Sequence, residues 1–540
     1  MSPGPALQPR VAIALCGNLG AAGGLDVALL VRELELLEPD AHVDVVEDLC
    51  HEPVQAADVV PRSAADRLVL GMCAASEAAH DFQARARAVG LDPFALEFVE
   101  LGGVPDQDTA ARIVAAAVAR QRASSGSRPE QQKLRLLSFA HKRSRRSLLT
   151  VPPSTYEPVA SVDRGRCVGE ERCGLCATAC PFAAIRMAGG KAAVDRDSCS
   201  SCGICVTACP VGAIDLPGAS LPQHEAALSV LLEAPVPRIV FTCRGALGGT
   251  TGSLPLAAGW LPIEVPCLGM VTPAWILQAL SGGAASVALL ACGDACRSDR
   301  ATQLGERVDY CREVLELLGE SSPAERVVLG RSPEEAGAWA RAPRGRTRQG
   351  PVMLLEPAGT AKALFELRES YGAPSRLSLF HPGSPLGLVA LRDETCTACG
   401  ACSASCPTGA LALKETANAT TISYDPALCV SCGRCVPVCP EAAHDTLTLR
   451  AGTDLAALES GRMTLKQARS ARCHRCGRPV APDAMLGRIR SLLEGDEASG
   501  PLIAILTQFC SDCRALESTP SAEHVGSEPT LDRGGPGLGN

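Results

Sequence analysis

Four short cysteine runs constrain this chain more than any other feature of its sequence. Three of them read C-x2-C-x2-C-x3-C-P and begin at Cys199, Cys396 and Cys429. The fourth keeps the same ending, but the five residues VGEER separate its leading Cys167 from Cys173. The 28 cysteines among 540 residues require either disulfides or metal, and the repeated spacing indicates metal.

The spacing within a run suits a cluster of four irons, which needs four thiolates around one cube. Two intervening residues let the chain curl round a corner and present three sulfurs to one cluster, while the fourth cysteine points to a neighbouring cluster. Glycine beside the cysteines lets the backbone approach closely, and the terminal proline turns the chain. Four zinc sites are the alternative, but zinc needs neither the third cysteine at this interval nor the proline.

Each pair of runs resembles a bacterial ferredoxin that carries two four-iron clusters. The resemblance implies two modules, module 1 at residues 159–218 and module 2 at residues 387–450, in which each cluster takes three cysteines from one run and the last cysteine of the other. The implied ligands form the Cys167 set (Cys167, Cys173, Cys176, Cys209), the Cys199 set (Cys199, Cys202, Cys205, Cys180), the Cys396 set (Cys396, Cys399, Cys402, Cys439) and the Cys429 set (Cys429, Cys432, Cys435, Cys406).

Length and charge narrow the class of protein. At this length we expect about three to five domains. The net charge of −8 argues against a nucleic-acid partner bound through bulk charge. The chain opens MSPGPALQPR, without a basic-then-apolar leader, so we expect reduced thiols and a cytoplasmic location.

One stretch, residues 265–293, has no charged residue and could imitate a membrane span. Pro266 and Pro273 stand near its start, and Gly282 and Gly283 divide it. These interruptions predict a strand, a short helix and a buried strand, and therefore no transmembrane segment.

The N-terminal block, residues 1–123, alternates strand and helix patterns, which predicts an open parallel sheet. The predicted strands are 11–17, 43–50 and 67–73, and the predicted helices are 25–39 and 76–90. Cys16, Cys50 and Cys73 fall at or just past the carboxyl ends of the strands, the edge where open α/β sheets gather their ligands. Three thiols could converge there.

This block resembles the N-terminal domain of the A-type subunit of heterodisulfide reductase, from ALCGNLG through EDLC and LGMCAAS to LDPFALEFVELGG. In that family the domain holds a four-iron cluster, which implies the same role for Cys16, Cys50 and Cys73. A fourth cysteine is not evident, so three buried, inert cysteines remain the alternative. No G-x-G-x-x-G lies between a strand and a helix, so we expect no flavin bound by this chain.

The middle block, residues 222–332, repeats this organisation. Predicted strands at 238–243, 261–267 and 286–292 each end in a cysteine. A further cysteine, Cys296, follows the last of these strands. The thiols again gather at the carboxyl edge of a parallel sheet. Cys311 lies inside a predicted helix, 299–319, where we expect it to be buried and not a ligand.

The middle block resembles the delta subunit of methyl-viologen-reducing hydrogenase, through FTCRGA, VPCLGMVTPAWILQAL, GGAASVALLACG and CRSDR. In that family the domain binds a two-iron cluster and passes electrons between a hydrogenase and heterodisulfide reductase. The resemblance implies Cys243, Cys267, Cys292 and Cys296 as ligands. FTCRGA has fewer cysteines than the family pattern and the last pair is closer together, so a structural thiol cluster is the alternative.

Two linkers and a C-terminal segment complete the chain. Residues 124–158 are basic, with Arg143, Arg145 and Arg146 close together, which indicates a solvated linker helix or a docking arm for an acidic partner. Residues 333–386 are a linker and a small extension, and residues 516–540 are predicted to be disordered.

Two C-x2-C pairs, Cys473 with Cys476 and Cys510 with Cys513, lie in residues 451–515. Four thiolates in a tetrahedral arrangement suit a structural zinc ion, with iron–sulfur as the alternative.

The sequence therefore predicts a multidomain α/β and α+β protein. It has two open parallel α/β domains, two ferredoxin-like modules and a small C-terminal cysteine-knuckle domain. We expect a non-catalytic subunit that relays single electrons through at least four [4Fe-4S] clusters to or from a hydrogenase, a formate dehydrogenase or a flavin-containing subunit like that of heterodisulfide reductase. The alternatives are an oxidoreductase with its own thiol/disulfide substrate site and a redox-sensing scaffold.

Overall fold

The computed structural model describes residues 9–50, 65–73, 83, 87, 90–136, 154–243, 259–292, 301–330, 350–493 and 500–517. Within these residues the chain is a mixed α/β structure with two parallel four-stranded sheets. The predicted α/β class with parallel sheets is therefore confirmed.

The N-terminal block is a parallel sheet in the order β2-β1-β3-β4. Its elements are β1 (Val11–Cys16), α1 (Leu19–Gly23), α2 (Val27–Leu37), β2 (His42–Val46), β3 (Arg67–Met72), β4 (Leu96–Glu100) and α3 (Gln107–Arg122). All six residues of β1 are buried, which explains its continuous apolar sequence. Asp26 and Asp106 begin α2 and α3, because each carboxylate accepts a backbone N–H of the first turn.

Strand β2 is shorter than the sequence predicted. The strand predicted at 43–50 is wrong beyond Val46, because residues 47–50 form a turn, so Cys50 lies past the strand end. Asp48 within that turn is a residue type that favours turns over strands. Most of the helix predicted at 76–90 lies outside the described residues, although Gln83 and Arg87 are helical.

Module 1 follows an antiparallel pair of strands. The elements are β5 (Gln132–Leu136), β6 (Ser154–Pro158), β7 (Ser161–Val162), α4 (Leu175–Ala179), β8 (Ile185–Ala188), β9 (Lys191–Val194), α5 (Ile204–Ala208) and β10 (Ile214–Asp215). Helices α4 and α5 begin inside the two cysteine runs, and the pairs β7–β10 and β8–β9 are antiparallel.

The start of the basic linker is a strand, so a linker helix is wrong for Gln132–Leu136. Strand β5 pairs with β6, and Arg135 Nη1 lies 2.8 Å from Glu157 Oε1 across the pair. Cross-strand pairing of opposite charges stabilises this arrangement. Arg143, Arg145 and Arg146 lie outside the described residues.

The middle block contains the second parallel sheet, in the order β12-β11-β13-β14. Its elements are α6 (Leu221–Leu231), β11 (Arg238–Cys243), β12 (Trp260–Val265), α7 (Pro273–Ser281), β13 (Ser286–Leu290), α8 (Ala301–Leu317), α9 (Pro323–Arg326) and β14 (Val327–Gly330). Helix α7 is buried along its whole length. Helix α3 of the N-terminal block packs along α6, which joins the two α/β blocks.

The uncharged stretch near residues 265–293 forms the end of β12, then α7, then β13, as predicted. No helix in the described part of the chain combines the length and the apolar character that crossing a membrane requires.

The extension after residue 350 belongs with the middle block. It consists of α10 (Ala358–Tyr371) and β15 (Ser378–Phe380). Helix α10 packs against α7, where Gln278 Nε2 donates to the Gly359 carbonyl at 3.0 Å and the Ala274 amide donates to Glu356 Oε1 at 2.7 Å. Strand β15 pairs with a strand of module 2 and so connects the two regions.

Module 2 and the C-terminal segment share their sheets, β15-β19-β16 and β17-β18-β20-β21. The elements are β16 (Gly387–Leu391), α11 (Ala401–Ala404), β17 (Leu411–Glu415), β18 (Ala419–Tyr424), β19 (Leu447–Asp454), α12 (Leu455–Ser460), β20 (Met463–Arg472), β21 (Pro479–Pro482), α13 (Asp483–Leu493), α14 (Gly500–Gln508) and α15 (Ser511–Glu517). Strand β19 crosses the domain boundary placed after residue 450, and β20 pairs with β18. The C-terminal segment is therefore attached to module 2 through a continuous sheet.

Candidate metal centres

The cysteine loops of both modules repeat one backbone conformation. Ser201, Ala398 and Ser431 occupy the same place between the first two cysteines of their runs, with φ of 56°, 54° and 50°. A positive φ is unfavourable for residues with a side chain and persists only where the surroundings impose it. Three recurrences at equivalent places indicate that the loops are shaped to turn their thiols inward.

One thiol set lines a small pocket in module 1. Its walls include all four members of the Cys199 set, together with Ala160, Phe182, Ile185, Val194 and Leu216. Cys180 comes from the first run and the other three from the second, so the two runs meet at one centre. Four thiols that converge among apolar side chains are the donor set that an iron–sulfur cluster requires.

The members of the other sets also lie together. Burial raises the pKa of Cys176 to about 11, and the other three members of the Cys167 set add to the rise. Burial likewise raises the pKa of Cys402 to about 11, with the rest of the Cys396 set contributing. For Cys435 burial raises the pKa to about 12, and the neighbouring thiols include the rest of the Cys429 set. Thiols with pKa values raised this far stay protonated near neutral pH unless a metal cation replaces the proton.

Within each module the two sets are neighbours. Burial raises the pKa of Cys205 well above its ordinary value, and Cys176 of the Cys167 set contributes besides the rest of the Cys199 set. In module 2, Cys402 of the Cys396 set contributes in the same way to the raised pKa of Cys435.

The two modules also contact each other through their ligand loops. Burial raises the pKa of Cys432 in module 2, and Cys173 of module 1 adds to the effect. Arg172 and Arg434 donate hydrogen bonds across this junction. Sequence reasoning missed both arginines, although a charged residue inside the run C-G-R-C was a visible signal at Arg434.

The middle block places its cysteines at one edge of the sheet. Cys243 ends β11, Cys267 follows β12 and Cys292 follows β13, so three thiols lie at the carboxyl ends of adjacent strands. The Gly269 amide donates to Cys267 Sγ at 3.4 Å. Cys296 lies outside the described residues. Cys311 is buried inside α8, as predicted.

Cys267 faces module 1. Burial raises the pKa of Cys202 to about 11, and Cys267 is among the thiols that add to it. A side chain at Gly203 would lie 2.2 Å from Met270 Sδ, so the Gly203 backbone sits directly against the turn that follows Cys267. Arg307 Nη1 fixes the same turn by donating to the Gly269 and Val271 carbonyls, each at 2.9 Å.

The three N-terminal thiols converge. The sulfur atoms of Cys16, Cys50 and Cys73 lie within 4.8 Å of one another, without a fourth His, Cys, Asp or Glu ligand among the described residues. The Cys73 amide donates to Cys50 Sγ at 3.2 Å. Burial acts to raise the pKa of Cys16, but hydrogen bonds from the Asn18 and Cys50 backbones hold it below the ordinary value. A Cβ at Gly102 would lie 2.2 Å from the Cys73 carbonyl oxygen, so only glycine fits beside this site.

The four C-terminal thiols form the second tight group. Cys473, Cys476, Cys510 and Cys513 have sulfur atoms within 4.8 Å of one another, and Cys476 Sγ lies 3.5 Å from Cys510 Sγ. Zinc–sulfur bonds of about 2.3 Å place tetrahedral thiolates about 3.8 Å apart, so one zinc ion fits here. Although burial opposes it, backbone donors lower the pKa of Cys473 to about 6. The ring of His474 packs on Phe509.

The module sets differ from these two groups in spacing. Among the described residues, no three thiols of a module set lie within 4.8 Å of one another. A cluster of four irons holds its thiolates farther apart than a single ion does, because each thiolate binds a different iron. The wider spacing fits four-iron clusters and not zinc.

Family comparisons agree with this chemistry. The 4Fe-4S dicluster domain matches residues 395–443, and the 4Fe-4S binding domain matches residues 192–215. The match in module 2 covers both of its cysteine runs, and the match in module 1 covers its second run. The delta subunit of methyl-viologen-reducing hydrogenase matches residues 249–341. No curated protein matches the chain. The ferredoxin and hydrogenase-subunit resemblances are confirmed, and they support an iron–sulfur electron-transfer role; the resemblance of the N-terminal block to heterodisulfide reductase stays a prediction.

Proposed function

We propose that the chain is an electron-transfer subunit that relays single electrons through at least four [4Fe-4S] clusters. The Cys167, Cys199, Cys396 and Cys429 sets would hold the clusters. When bound, each cluster takes up and releases one electron at a time. The observation that carries the proposal is that the thiol sets lie beside one another in succession, with the hydrogen bonds of Arg172 and Arg434 joining the ligand loops of the two modules.

That succession has a definite order. Cys267 of the middle block neighbours the Cys199 set, which neighbours the Cys167 set. The Cys167 set meets the Cys429 set through Cys173 and Cys432, and the Cys429 set neighbours the Cys396 set. In the sequence, the middle block lies between the two modules. In the spatial order of the thiols, the sets of module 1 come between Cys267 of the middle block and the sets of module 2.

Burial does not distinguish the middle of this path from its ends, because each of the four sets contains both buried and half-buried thiols. Solvent exposure and hydrogen bonding set cluster potentials. We propose that a hydrogenase, formate dehydrogenase or flavin-containing partner docks at the middle block, whose family match is to a hydrogenase subunit.

Further centres belong to the same proposal. Cys243, Cys267, Cys292 and Cys296 would hold a two-iron cluster beside the Cys199 set. Cys473, Cys476, Cys510 and Cys513 would hold a structural zinc ion. Cys16, Cys50 and Cys73, whose sulfur atoms lie within 4.8 Å of one another, would hold an additional metal centre, and no described His, Cys, Asp or Glu completes this group as a fourth ligand.

One observation favours a second candidate function for the N-terminal block. Its three converging thiols could also perform thiol–disulfide chemistry, since Cys16 has a lowered pKa and the thiolate is the reactive form. Alkylation of the anaerobically purified, cluster-loaded chain separates the two functions. Labelling of Cys16, Cys50 or Cys73 would favour a substrate site, whereas resistance of all three would eliminate it.

Magnetic coupling between clusters tests the relay. Dithionite-reduced full-length protein should give electron paramagnetic resonance (EPR) spectra broadened by interactions between neighbouring clusters. The double variant C173S/C176S should lose the Cys167 cluster and with it the interaction between module 1 and module 2. Four isolated, non-interacting signals in the wild type would overturn the proposal. A redox sensor would lack dye-linked electron turnover with a reconstituted partner.

A further inference from the structure

Two arginines from different modules donate hydrogen bonds in opposite directions across the module junction. Arg172 directly precedes Cys173 of the Cys167 set, and its Nη2 donates to the carbonyl of Cys406 at 2.7 Å. Cys406 belongs to the Cys429 set. A side chain beside one ligand set therefore holds the backbone of the other.

Arg434 provides the reverse contact. It lies between Cys432 and Cys435 of the Cys429 set, and its Nη2 donates to the Glu170 and Glu171 carbonyls at 3.0 Å each. These carbonyls lie just before Cys173. The two contacts are reciprocal, and both bond directly to loops that carry ligands.

Each arginine has a donor to spare at the junction. The Nε atoms of Arg172 and Arg434 are buried and have no hydrogen-bond partner within the described residues. A buried donor without an acceptor is unfavourable, because it has lost its hydrogen bond to water. Thiolate and sulfide sulfurs of clusters at the adjoining sets would supply the acceptors, so the arginine donors fit loaded sites.

We propose that Arg172 and Arg434, the arginine pair, are positioning residues that fix the Cys167 and Cys429 sets against each other and favour reduction of both clusters. The inference rests on the proposed function, because it assumes that both sets hold clusters. A cluster bound by four thiolates is anionic, and a second anionic cluster nearby repels an added electron. Two fixed guanidinium charges at the contact offset that repulsion, since a guanidinium remains charged and presents five donors.

Hydrogen–deuterium exchange on the iron-loaded full chain tests the positioning role. Arg434→Gln should raise amide exchange in residues 168–175 of module 1, and Arg172→Gln should raise it around Cys406 of module 2. Each substitution thus acts on the module that does not contain it. Arg462→Gln is the matched control, because Arg462 donates to the Gly409 and Ala410 carbonyls within module 2; it should leave residues 168–175 unchanged.

Redox titration followed by EPR tests the electrostatic role. Each glutamine substitution should lower the equilibrium constant for adding an electron to the two adjoining clusters by about tenfold, which is about 59 mV for one electron. Arg172→Lys and Arg434→Lys keep the positive charge but lose the planar guanidinium. The reduction potentials of the two adjoining clusters should therefore stay close to those of the wild type, whereas amide exchange across the junction should still rise.

The outcomes separate this inference from the function on which it rests. If the glutamine and lysine variants keep full iron and change neither exchange across the junction nor the two potentials, the arginine pair has no such role and the relay still stands. If the wild-type chain binds no four-iron clusters, the proposed function fails first, whatever the variants do.

Discussion

The guanidinium of Arg172 donates a hydrogen bond of 2.7 Å to the carbonyl oxygen of Cys406, which is 234 residues later in the chain. This bond joins the ligand loop of one ferredoxin domain to that of the other. Together with the contact between Gly203 and Met270, it brings the ligand loops of module 1 against both the middle block and module 2. The order of the thiol sets in space therefore differs from their order in the sequence.

Gly203→Ala should weaken the contact between module 1 and the middle block. A Cβ there would lie 2.2 Å from Sδ of Met270, which is fully buried. Overpacking of this kind costs about 1–3 kcal/mol, in addition to the strain of a left-handed backbone. Chemical denaturation followed by fluorescence of Trp275, in the adjacent α7, measures the loss of unfolding free energy.

Gly433→Ala is the control for that substitution. Gly433 has the same φ of 74° at the equivalent place in module 2, but a Cβ there meets nothing within 4 Å. Both variants carry the same backbone strain, so the difference between their losses of unfolding free energy measures the packing against Met270. Equal losses of stability would contradict the described contact.

Cys513→Ser should remove one zinc ion per chain and leave iron unchanged. The spacing of the C-terminal thiols suits one tetrahedral ion, and this group is separate from the module sets. Metal analysis of the anaerobically purified variant measures the zinc and iron bound per chain. Cys311→Ser is the control, because that thiol is buried outside every set. Loss of iron instead of zinc would assign an iron–sulfur centre to the C-terminal group.

Glu356→Gln should change how stability depends on pH. Burial raises the pKa of Glu356 above its ordinary value of 4.5, although the Ala274 amide and Thr360 hydroxyl partly offset the rise. The folded chain thus keeps a proton that the unfolded chain loses, and Glu356 makes stability fall as pH rises above 4.5 towards the raised value. The glutamine side chain keeps one oxygen that can accept these hydrogen bonds, and it has no carboxylate charge that must be buried.

The gain in stability of Glu356→Gln over wild type should therefore increase with pH across that window. Thermal unfolding of the loaded chain at several pH values measures it. The exposed Glu415→Gln is the control and should show no such trend. A gain that shrinks as pH rises would show that Glu356 is ionised favourably in the folded state.

Local spacing made much of this structure predictable from the sequence. The C-x2-C-x2-C runs determine their own loop conformation within a dozen residues, and the strand ending at Cys243 was predicted to the residue. The turn that carries Cys50 was missed, because an apolar alternation continued past the strand end. Strand β5 was missed because its pairing partner β6 lies beyond a long basic stretch.

Long-range contacts were not predictable. Arg434 donates to carbonyls more than 260 residues away, and nothing within the run C-G-R-C specifies that partner. The continuation of the sheet past residue 450 is a similar case, since β19 and β20 are held by pairing with strands of module 2. Sequence patterns identified the thiols, but the order in which they meet required the fold.

Quantitation of iron, sulfide and zinc in anaerobically purified full-length protein, combined with EPR, tests the central claim most directly. Four sets of four thiols predict about sixteen iron atoms per chain with matching sulfide, before any further centre is counted. Brown protein with this content and cubane signals on reduction is the expected result. Colourless protein that carries zinc in the four module sets would contradict the relay.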